Sequence, residues 1–103
     1  MLFSVNLQLQ TNKIIMASIK NLKKDINYVL GDIIEECYTW EILNPKADTK
    51  GTEEIIDEAI EAFDALIEKV NSKDVENYKA HFKAINSELE QTAKQLIEKI
   101  NSL

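Results

Sequence analysis

The chain contains no arginine: all 12 basic residues are lysine, set against 18 acids for a net charge of -6. Without the forked guanidinium that grips phosphates and guanine edges at two points, an acidic chain has poor means of holding nucleic acid, which is excluded as a partner. One cysteine, Cys37, rules out an internal disulfide framework and points to a reducing, cytoplasmic setting. One proline and two glycines leave little material for tight turns, against an all-β fold and for a few long helices. No apolar run approaches the roughly 18 residues a bilayer span needs, and the N-terminus lacks the basic and then continuously apolar segments of a secretory signal, so no membrane role is expected. With 103 residues there is interior enough for one domain and no more.

What is present is helical periodicity. From Asp74 to Asn101 the apolar residues Val75, Tyr78, Phe82, Ile85, Leu89, Leu96 and Ile100 fall three or four apart, with Thr92 filling the one gap, and Leu103 continues the rhythm. A second stripe, Ile19, Leu22, Ile26, Val29, Ile33, Cys37 and Trp40, broadened by Leu30, Ile34 and Tyr38, predicts a helix over about 18–43, capped by Ser18 and ended by Asn44-Pro45. Gly31 sits inside it, which implies either a close packing partner or a soft point. A third helix is predicted over 53–70, with Thr52 as N-cap and Ile56, Ala59, Ile60, Phe63, Leu66, Ile67 and Val70 inward. Ser72 or Asp74 would cap the helix over 74–101. A polar break as short as Asn71-Ser72-Lys73 joins only antiparallel neighbours, so the expected fold is all-α, an antiparallel three-helix bundle over residues 16–103. Residues 1–15 read differently. Phe3, Val5, Leu7 and Leu9 alternate with polar residues, a strand pattern that predicts an extended N-terminal arm; alternatively Met16 is the native start and the segment an extension.

Chemistry is sparse. Cys37 falls on an inward stripe far from a helix N-terminus and reads as a small buried hydrophobe. His81, beside Phe82, reads as a boundary residue. A carboxylate metal site of the di-iron type needs paired Glu-x-x-His motifs, whereas this chain has one histidine with Tyr78 three residues before it. No catalytic residue, cofactor or metal is implied, and a non-enzymatic protein–protein interaction module is the expectation.

Two surfaces are candidates for the partner. The predicted second helix is shorter than its neighbours, so the far end of the bundle, with Trp40, Leu96, Ile97, Ile100 and Leu103, is expected to lack a third helix and to pair with a second copy as a homodimer. The second helix also carries Glu53, Glu54, Asp57, Glu58, Glu61, Asp64 and Glu68 against one base, Lys69, which accounts for the whole net charge. Its outer face, Asp57, Glu61, Asp64 and Glu68, would suit a basic partner, and Lys20, Lys23 and Lys24 supply such a cluster on another copy. In size and acidity the chain is similar to bacterial immunity proteins and export chaperones, a likeness that implies a chaperone- or immunity-type binder of a basic partner.

Overall fold

A computed structural model describes the backbone from residue 2 and the side chains from Lys13 onward. It consists of three helices, α1 (Leu2–Leu43), α2 (Lys50–Val70) and α3 (Tyr78–Asn101), each packed on the other two in up-down-up order, with no strand among the described residues. The bundle is long and thin, 69 × 19 × 17 Å.

The length comes from α1. The expected arm is instead helical: α1 begins at Leu2 and runs for 42 residues, leaving Ser18 in mid-helix and half-buried rather than at an N-cap. No glycine or proline interrupts the chain before Gly31. A lone alternating segment has no strand to pair with, whereas adding turns to a helix already nucleated satisfies each backbone group internally. The inward or outward direction of Phe3, Val5, Leu7 and Leu9 lies outside the described residues. At the other end Asn44 donates to the Trp40 carbonyl from both its backbone N–H and its Nδ2, each at 2.9 Å, and Pro45 prevents another turn.

α2 starts at Lys50, three residues earlier than expected. Asp48 accepts from the Lys50 N–H at 3.0 Å, and the Thr49 hydroxyl donates to Glu53 at 3.1 Å. Thr52 is therefore not a cap but a buried bolt. Its hydroxyl, fully enclosed, stands 2.5 Å from Glu41 Oε1 and 2.8 Å from the Thr49 carbonyl, tying the start of α2 to the end of α1.

α3 starts four residues later than the stripe implies. Asn77, with extended backbone (φ −134°, ψ 99°), accepts from the Ala80 N–H at 3.1 Å, and this cap rather than Ser72 or Asp74 opens the helix. The connection 71–77 is thus longer than three residues, and Val75 lies in it half-buried. A clasp closes this end. His81 Nε2 donates to the Lys69 carbonyl over 2.7 Å, while the Lys69 ammonium meets Glu88 at 2.5 Å.

The core is one column: Leu22, Ile26, Leu30, Ile33 and Cys37 from α1, Ile55, Ala59, Leu66 and Val70 from α2, and Ile85, Leu89, Ala93 and Leu96 from α3. Each large side chain removed from water stabilises the fold by about 1.5–3 kcal/mol before entropy is counted. On α2 the seam is rotated from the expected one, with Ile55 buried and Ile60 left 48% exposed. Ala59, as expected, is fully buried on the same side. Tyr38, expected to widen the α1 stripe, faces water.

Candidate functional site

The far end of the bundle is not the unsheltered patch its helix lengths suggested. Leu96 is 2% exposed, packed inside its own subunit, and Trp40 and Ile100 are half-buried. The reason is the shift in helix limits. α2 begins early and α3 begins late, so their ends come level. Leu103 folds over Gly51, its Cδ2 only 2.7 Å from where a Cβ on that glycine would stand. Leu96 is therefore core and open to no partner. Of the five apolar residues expected there, Ile97 (48%) and Leu103 (39%) keep the most exposed surface.

Ile97 points toward α1 instead of toward the tip. Together with Tyr28, Val29, Leu89 and Ala93 it lines an open apolar recess of about 580 Å³ between α1 and α3. Further toward the start of both helices, Ile14, Ser18, Tyr78 and Phe82 line a second recess of about 770 Å³. Asn86 borders both, so the two are parts of one groove running along the α1/α3 face. Small side chains at Ser18 and Ala93 make it concave. Its walls carry large ones: Tyr28 is 57% exposed and Ile14 66%. The Lys24 ammonium lies 5.7 Å from the centre of the Tyr28 ring and holds it at the rim. At the other end the Tyr78 and Phe82 rings sit tilted, 5.5 Å apart. Charged rim positions of both signs, Asp25, Lys83, Glu90 and Lys94, flank an apolar floor.

Sequence reasoning passed over Tyr28 and Ile14. Tyr28 lies off the 3-4 stripe, and a large apolar residue off the stripe is the one signal that marks a second apolar face.

Asp57, Glu61, Asp64 and Glu68 are all exposed on α2, and among the described residues none of them enters an ion pair. Glu58, turned toward α3, meets Lys99 at 2.6 Å. The two ion pairs among the described residues are about half exposed, so each contributes roughly 0–1 kcal/mol at most.

Cys37 is fully buried, and desolvation pushes its thiol above the usual range, with Glu41 and Glu36 adding to the rise. That is the reverse of what a nucleophile needs. His81 is engaged with the Lys69 carbonyl and packs beside Phe82, ring centres 5.9 Å apart. Among the described residues no three metal-ligating side chains converge, so the carboxylate metal site has no ligand set. No helix among them is long and apolar enough to cross a membrane. Comparison with protein-family models, with curated proteins and with solved structures finds no match.

Proposed function

We propose that this protein is a non-enzymatic interaction module that pairs with a second copy of itself through the α1/α3 groove. The observation that carries the reading is the groove with its three exposed apolar residues: Ile14, Tyr28 and Ile97. Contiguous apolar surface of this kind on a small acidic protein is a partner site. The bundle tip is withdrawn as the interface because Leu96 is core, while Ile97 keeps the C-terminal part of α3 within it. A reducing cytoplasm suits an unpaired, buried Cys37.

Light scattering across a concentration series tests this. Wild type is expected as a dimer, and Tyr28→Lys with Ile97→Glu as a monomer with the helical signal intact, since both residues already face water. A wild type that stays monomeric at the highest concentration overturns the reading.

The exposed acids Asp57, Glu61, Asp64 and Glu68 favour a second reading, the chaperone- or immunity-type capture of a basic partner by α2. Binding of that kind falls steeply as salt rises, whereas apolar pairing does not. Affinity capture at low and high salt separates the two.

A further inference from the structure

Resting on the self-association reading, we infer that the occupant of the groove is the first turns of α1 from the second copy. The two α1 helices run antiparallel about a twofold axis that passes between Ile15 and Met16, so that residue 6 lies opposite Asp25 and residue 3 opposite Tyr28. Length is the first argument. α1 has 42 residues against 21 in α2 and 24 in α3, and the first turn of α3 lies beside Ile14 and Ser18. The turns of α1 before Ile14 therefore run ~18 Å past the start of α3.

Composition is the second argument. Charged residues make up 29% of the chain, yet there is none from Leu2 to Asn12, where Leu2, Phe3, Val5, Leu7 and Leu9 alternate with Ser, Asn and Gln. A short uncharged overhang of this kind is marginal as a free helix in water and gains by packing. It also lacks the lysines that would seat it among anionic lipid headgroups. An apolar groove with uncharged small residues on its floor suits it better.

Position is the third. The groove opens where the overhang leaves its own bundle, and the ten residues from Ser18 to Tyr28 run ~15 Å along it, close to the length of the overhang. One twofold operation seats both overhangs at once and leaves no unfilled groove, which closes the assembly at two copies. Each end of the dimer is then a four-helix unit, three helices of one copy and the overhang of the other. Ile14, 66% exposed and on the groove side of α1, then lies beside the partner helix close to the axis.

The test is disulfide trapping in the full chain. Cysteine is placed in turn at Val5→Cys, Asn6→Cys, Leu7→Cys and Gln8→Cys, one full helical turn, and each variant is mixed with an Asp25→Cys chain under mild oxidation. Cys37 stays, since it is fully buried. At least one mixture is expected to give the mixed disulfide, and none is expected to cross-link to Ile42→Cys at the opposite end of α1. A disulfide requires Cα atoms within about 7 Å, so a parallel pair, or grooves packed directly on each other, gives no such product. Wild type that is dimeric by light scattering but yields no mixed disulfide overturns the overhang and leaves self-association standing. Monomeric wild type overturns both.

Discussion

Replacing Gly31 with alanine should stabilise this protein, and the size of the gain follows from what surrounds the site. A glycine inside a helix is worth about 0.5–1 kcal/mol less than alanine, because it surrenders more backbone freedom on folding. That gain is realised only where a methyl group fits. A Cβ built at Gly31 meets nothing within 4 Å. It points into a shallow recess of about 210 Å³ between α1 and α2, lined by Asn27, Leu30, Ile34, Ile60 and Phe63. The new methyl therefore costs no strain and covers some apolar surface that is wet in wild type. An increase of about 1 kcal/mol is expected, equivalent to a rise in Tm of ~4–8 °C for a domain of this size. Urea unfolding followed by circular dichroism reads it directly, as a higher midpoint at unchanged slope. The substitution should leave self-association alone, because Gly31 faces the α1/α2 side and the proposed interface is the α1/α3 groove. A variant that loses stability, or that is weakened only at concentrations where wild type associates, would refute the reasoning: it would mean that another helix packs onto Gly31 in the assembled protein.

Thr52→Val should cost ~1–3 kcal/mol in the same unfolding assay, since the shape is kept while Glu41 loses its buried donor; no measurable loss would mean that Glu41 turns to water instead. For Cys37 the sign follows from the raised thiol. Folded protein holds the proton more tightly than unfolded chain, so this contribution is complete below the ordinary thiol pKa of about 8.5 and is lost as pH rises through the higher folded value. Stability of wild type relative to Cys37→Ala should therefore decline above about pH 8.5, and parallel pH profiles of the two proteins would remove the effect.

The bundle was legible in the sequence because the 3-4 spacing of α1 and α3 leaves one broad and one narrow stripe that only mutual packing can bury. Where the helices begin was not. None of the three expected caps is used: Asn77 opens α3 in place of Ser72 or Asp74, Thr49 stands before α2 in place of Thr52, and Ser18 lies in mid-helix. Each good capping residue competes with others a few positions away at a difference of about 1 kcal/mol, which tertiary contacts overrule. Thr52 shows the override directly, drawn from a cap position into a buried bond with Glu41.

Small shifts of this kind moved the candidate site. Three residues gained by α2 and four lost by α3 brought Leu103 over Gly51 and enclosed Leu96, while Ile97, one residue and about 100° further round α3, stayed in the open. A stripe read along one helix fixes neither fact, because the neighbour that covers or exposes a residue belongs to another helix whose limits are set elsewhere. The helical start of α1 matters most. An extended arm could have lain along the bundle of its own chain; as turns of α1, residues 2–13 instead continue the axis of that helix past the start of α3. On the proposed pairing, these uncharged turns fill a groove that the partner chain leaves open, so that two copies gain what one copy alone does not.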